Sequence, residues 1–107
     1  MVVLETDPAR ARSIARAAMD RYLNAPNYVN NLLRLGYTDA DVGNGGSDRL
    51  VDDLIAWGSP DKISQRIREQ HAAGADHVCI QVLAENPADM KAAMDGWRQL
   101  APAVLAA

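Results

Sequence analysis

The chain has 107 residues, hydrophobic residues make up 49% of it, and its formal net charge is −3. Domains commonly run to roughly 100–150 residues, so one domain fits the length, and the apolar fraction excludes disorder as the default state. The 11 basic and 14 acidic residues are spread out, with no Lys/Arg cluster or basic–aromatic interleaving, which argues against a nucleic-acid surface.

Alanine inflates the apolar fraction and Phe is absent, so large core formers are few. A marginal or partner-dependent core is expected. Cys79 is the single cysteine, which rules out an intrachain disulfide and points to a reducing cytoplasm. No apolar run approaches the roughly 20 residues that a membrane helix needs. Met1-Val-Val-Leu4 is too short for a signal-peptide core and has no basic flank. A cytoplasmic protein is expected.

Val2-Val3-Leu4 opens the chain as a short buried-strand signal. Asp7-Pro8 supplies an N-cap and a first-turn proline, and Ala11, Ile14, Ala15, Ala18 and Tyr22 recur at helical spacing, predicting a helix over 8–23. Arg10, Arg12, Arg16 and Arg21 surround its apolar arc and read as a solvated face. A second helix over 26–35 stops at Gly36. Residues 37–48 read as loop; Gly43-Asn44-Gly45-Gly46 lacks the preceding strand and following Lys of a phosphate loop.

Ser47 caps a third helix that turns Leu50, Val51, Leu54, Ile55 and Trp57 inward and ends at Gly58. Ser59-Pro60 repeats the cap-plus-proline start, with Ile63, Ile67, His71 and Gly74 along one stripe and Gly74 as the stop. "DHVCIQVL" (76–83) lacks polar alternation, which suits a parallel strand covered on both faces. Asn86-Pro87 opens the last helix, where Met90, Ala93, Met94, Trp97, Leu100 and Ala101 fall in an arc of about 120°. The resulting order is β, α, α, α, α, β, α: two short parallel strands and about five helices, an α/β class. Two parallel strands leave open edges, which predicts a homo-oligomer.

No self-contained active site emerges. His71 and His77 have no carboxylate or thiol at ligand-like spacing from both, so no metal site is assigned. Cys79 reads as a buried structural thiol. Asp52 and Asp53 are neighbours on a helix and point about 100° apart, so they do not act on one atom. Asp48 and Asp52 read as partners of the helix macrodipole. Met90, Met94 and Trp97 read as core.

The segments "WGSPDKISQRIREQHAAGADHVCIQVL", "VVLETDPARARSIARAAMDRYL", "PNYVNNLLRLGYTDADV" and "GGSDRLVDDLIAWG" cover essentially the whole chain. The first resembles the carboxy-terminal signature of the luciferase-like monooxygenase superfamily, and the others resemble its coenzyme F420-dependent oxidoreductase branch. The resemblance implies part of a (β/α)₈ TIM barrel that moves hydride between F420, or alternatively FMN, and a small organic substrate. Such barrels take roughly 250 residues, so the chain corresponds to the last two βα units. Residues 24–58 would be a helical insertion and 59–101 the last helix-strand-helix unit. Val2–Leu4 would be the seventh strand and His77–Leu83 the eighth. Most ring-contacting residues would lie in an amino-terminal portion outside this chain, so no catalytic or cofactor-binding residue is assigned and the chain alone is expected to be inactive.

Barrel sites lie at the carboxyl ends of the strands. Glu5, Thr6 and Asp7 follow the first strand here; Ala84, Glu85 and Asn86 follow the second. The insertion is expected to leave from the same side, which brings in Asn27, Tyr28, Asn30 and Asn31. The substrate-pocket candidates are Thr6, Asn27, Tyr28, Asn31 and Glu85. The competing role for the polar ones is to cap helices and bond loop backbone.

Overall fold

The computed structural model describes residues 1–106 as an α/β unit with six helices and a two-strand parallel sheet. Strand β1 (Val2–Val3) pairs in parallel with β2 (Ala56–Trp57), in the register Val2 to Ala56 and Val3 to Trp57. On its other edge Val2 forms an isolated parallel bridge to Val82. Its N–H donates to Gln81 O at 2.8 Å and its C=O accepts from Leu83 N at 2.9 Å, while Val3 O accepts from Gly58 N on the opposite side. Successive residues bond to opposite edges, so β1 is central, between β2 and the segment at Val82.

Four helices connect β1 to β2: α1 (Pro8–Leu23), α2 (Pro26–Arg34), α3 (Asp39–Val42) and α4 (Asp48–Leu54). Helix α5 (Pro60–Ala72) leads back to the Val82 segment, and α6 (Met90–Leu105) follows it. Caps set most of the starts: Asp7 Oδ2 accepts from Arg10 N, Ser47 Oγ from Leu50 N, and Ser59 Oγ from Lys62 N. Helix α5 closes at Gly74, whose φ of +105° is a conformation that costs glycine little and other residues more.

Side-chain alternation divides the core between the two faces of the sheet. Val3, with Trp57 and Leu83 packed beside it, belongs to a cluster with Ala11, Ala15 and Met19 of α1 and Leu50 and Val51 of α4. Val2, with Leu4, Ala56 and Val82, belongs to a second cluster with Ile63 and Ile67 of α5 and Leu100 of α6. The chain crosses from β1 to β2 in one direction and returns past β1 in the other. Parallel crossovers keep one hand, so reversing direction places the two sets of helices on opposite faces.

Several expectations change. The third helix ends at Leu54 with Ile55 as its extended cap, and Ala56 and Trp57 form β2, because they can complete the ladder on the edge of β1. Leu54 is consequently 43% exposed. Within the expected loop 37–48, Thr38 and Asp41 form a reciprocal capping box that starts the short helix α3. The last helix begins at Met90 under an Asp89 cap, three residues after Pro87; Asn86 instead accepts from Ala88 N in a local turn.

The stretch 76–83 makes one bridge, not a ladder covered on both faces. Val78, Ile80 and Val82 turn toward α5 and α6, whereas His77, Cys79 and Gln81 are exposed, since the α1–α4 layer reaches no farther than Leu83. The Cys79 thiol is therefore not a buried structural one. His71 is exposed too, its Nδ1–H donating to Ala75 O at 2.8 Å beyond the helix end. On α6 Leu100 is fully buried, but Met90, Met94 and Trp97 lie 70%, 48% and 39% exposed, outside the core in which they were expected.

Candidate functional site

Parallel sheets bind ligands beyond the carboxyl ends of their strands, above all where the strand order reverses direction. That point here lies between β1 and the Val82 segment. A crevice of about 580 Å³ opens there, floored by Leu4, Ile14, Val82, Leu83 and Gly96 and rimmed by Glu5, Arg10, Glu85, Asp89 and Asp95. Gly96 lets α6 sit directly on the strand segment, since a Cβ built on it would meet Val82 Cγ1 at 2.9 Å.

Arg10 spans the mouth. Its Nη2 donates to Glu85 Oε2 at 2.9 Å, and its Nε lies 3.5 Å from Glu5 Oε2. Glu5 is held in turn by the Asp7 N–H at its Oε1, 3.0 Å away. The hydrogen bond that Arg10 donates to Glu85, followed by the charge of Glu85 and that of Glu5, holds the Arg10 guanidinium further into its charged form. The loop after β1, the first turn of α1 and the loop after Val82 are thus tied across an apolar floor. Of the four rim carboxylates, Glu5 and Glu85 share Arg10, and Asp95 is held by Lys91 at 2.6 Å and Arg98 at 3.3 Å.

Of the candidates, Glu85 lines this crevice, and Thr6 is exposed just past Glu5. Tyr28 and Asn31 lie elsewhere. They line an apolar groove of about 340 Å³ with Met1, Tyr22, Leu32 and Leu54, at the amino end of β1. Asn27 is exposed on α2 beside Tyr28. The expected single pocket is therefore two. Helix α1 runs its whole length back before the insertion begins, which puts Tyr22 and Leu23 beside Met1 and the insertion at the far end of the strands. Within that groove the Tyr22 and Tyr28 rings meet edge to face, with centroids 4.9 Å apart.

A second polar assembly sits at the carboxyl end of β2. Asp52 accepts from Arg12 Nε at 3.0 Å and Nη2 at 2.7 Å, and from Trp57 Nε1 at 2.8 Å. Arg12 and Lys62 both approach the Trp57 ring, at 5.4 Å and 3.9 Å from its centroid. Arg16 reaches Asp48 and the Gly46 carbonyl. Two of the arginines expected on a solvated face thus clamp α1 to α4, and Asp48 and Asp52 serve them and not only the helix dipole. No local pattern reveals this, because Arg12 and Asp52 are 40 residues apart in the chain. The role of Arg10 was equally hidden, although its position one turn after a strand end is where such a residue is to be sought.

Hydrogen bonding by Arg12, and then by Trp57, holds the Asp52 carboxyl below the usual carboxylate range. The Thr38 N–H and the Ser47 hydroxyl do the same for Asp41. A carboxyl lowered on folding stabilises the fold above its unfolded pKa of about 3.9 and loses that contribution as pH falls through the lower folded value. The urea midpoint is therefore expected to hold from pH 7 to pH 5 and to drop below about pH 4. Asp41→Asn with Asp52→Asn should flatten that drop, and an unchanged acid limb in the double variant would refute the assignment.

Among the described residues no three His, Cys, Asp or Glu side chains gather as a metal-binding group, and no helix is long and apolar enough to cross a membrane. No family model, curated protein or solved structure matches the chain.

Proposed function

We propose that the chain is the carboxy-terminal part of a luciferase-like, F420- or FMN-dependent oxidoreductase built on a TIM barrel. Its contribution would be the substrate end of a site where hydride passes to or from a small organic molecule. The observation that carries the reading is the parallel pairing of Val2 with Val82, which brings the ends of both strands, at Leu4-Glu5 and Leu83–Glu85, onto one crevice. The capped starts at Ser59 and Asp7 and the Gly74 stop give this part the grammar of repeated βα units.

The crevice does not fit the cofactor's phosphate. F420 and FMN are both anionic, and Arg10, the one cation beside Glu5 and Glu85, is already shared by those two carboxylates, while Lys91 and Arg98 are taken up by Asp95. On this reading cofactor binding is assigned to an amino-terminal portion, as the resemblance implies. A cytoplasmic location accompanies this reading.

One feature favours a second reading, a self-contained, non-catalytic α/β domain that folds by self-association. Barrel strands follow in chain order with their helices on one face, whereas here the order reverses and helices cover both faces. The outer edges of β2 and of residues 77–83 would then pair between copies.

Reading the coding DNA upstream of the Met1 codon, with F420 and FMN fluorescence titrations, separates the two. The oxidoreductase reading expects an in-frame barrel start, no saturable binding by this chain alone, and saturable binding once the upstream portion is co-expressed. Saturable cofactor binding by the 107-residue chain alone would overturn the division of labour. An upstream region without barrel-coding sequence, together with a dimer by sedimentation, would establish the second reading instead.

A further inference from the structure

We infer that the crevice between β1 and the Val82 segment binds an organic cation with an apolar body, such as an alkyl- or arylammonium group. The inference rests on the reading above only in taking this crevice as the substrate end of the site; it does not depend on hydride chemistry. Pockets for small molecules enclose about 300–1,000 Å³, with a mostly apolar lining and a few convergent polar groups. The crevice has a volume in that range, about 580 Å³, over an apolar floor of Leu4, Ile14 and Val82.

Its electrostatics decide the class of ligand. Glu5 and Glu85 both face the mouth, and the one cation that serves them is Arg10. That guanidinium is on the solvent side, with the Arg10 side chain 58% exposed and that of Glu85 68% exposed. Exposed pairs are weak and exchange with water readily. An ammonium group whose apolar body lies on Leu4 and Val82 presents its N–H donors to the same two carboxylates and displaces Arg10 from them. Arg10 is thus a built-in competitor for the ligand charge, which sets a sign that a purely structural salt bridge would not give.

The test uses hexylammonium, hexanol and hexanoate as probes, each titrated against the isotopically labelled chain while the backbone amides of Leu4, Val82 and Gly96 are followed by NMR. Hexylammonium is expected to shift these amides saturably, hexanol more weakly, and hexanoate not at all. Glu85→Gln should weaken hexylammonium binding by about two- to fivefold, the range of one exposed ion pair, and Arg10→Gln should strengthen it by a similar factor. Hexanoate binding as well as hexylammonium, weaker binding in Arg10→Gln, or no saturable shift with any probe would each overturn the inference. Circular dichroism of both variants, at wild-type amplitude, separates these outcomes from misfolding. The cofactor reading is judged by the F420 and FMN titrations, so either can fail without the other.

Discussion

Leu50→Ala is expected to destabilise the fold by about 2–5 kcal/mol, the range for truncating a fully buried leucine. Leu50 has no exposed surface and sits where α4 meets α1 beneath the sheet, with Ala11, Ala15, Met19 and Val3 in the same cluster. Two of those neighbours are alanines, which have no rotamers with which to fill the vacated space. Both the lost transfer energy and the cavity should therefore be felt. A domain of this size has on the order of 5–15 kcal/mol in all, so the urea midpoint should fall steeply at an unchanged slope. Leu54→Ala, on the same helix but 43% exposed, serves as the control and should stay within about 0.5 kcal/mol of wild type. Equal losses at the two positions would mean that α4 is not packed as described.

Gly96→Ala makes the sharper case, because helix propensity and packing point in opposite directions. In a free helix the exchange would stabilise by about 0.8–1.0 kcal/mol. Here the new methyl would stand 2.9 Å from Val82 Cγ1 and 3.6 Å from Leu4 Cδ1. Val82 branches at Cβ and has little rotamer freedom with which to yield. Helix α6 must then lift from the strand segment, and a net loss of about 1–3 kcal/mol is expected, as for other overpacked sites. Val82→Ala should relieve the contact, so the double variant should lose less than the two single losses added together. Additive losses, or a stabilised Gly96→Ala, would rule out the close seating of α6 on this segment. Amide exchange at Leu83, whose N–H donates to Val2 O, gives a local reading of the same event.

These two sites mark how far the residues by themselves could be read. Leu50 was legible, since its spacing with Val51 on a helix capped by Ser47 names the inward face. Gly96 was not. It is an ordinary mid-helix glycine until the return of the chain lays Val82 against it. The same contrast runs through the crevice. Glu85 could be named from its place after a strand, because strand ends are where parallel sheets keep their sites. Arg10 could not, since only the pairing of β1 with the Val82 segment brings Glu85 within 2.9 Å of its guanidinium. Tyr28 and Asn31 were drawn toward the same pocket and belong to another, because a helix as long as α1 delivers the insertion to the opposite end of the strands.

What the sequence by itself determined is therefore local: the caps at Asp7, Ser47 and Ser59, the glycine stop at Gly74, the bounds of α1, and the inward stripe of Ile63 and Ile67. Each depends on hydrogen bonds or side-chain periodicity within a few residues. Only the tertiary structure decided that Ala56 and Trp57 leave a helix for a strand, that β1 lies between β2 and Val82, and that helices cover both faces. The physical reason is that a backbone ladder and a buried face need partners distant in sequence. Ala56 and Trp57 are helix-compatible until the open edge of β1 offers their backbone a ladder. The exposed side of residues 77–81 is settled by how far the α1–α4 layer extends, which no property of those residues specifies.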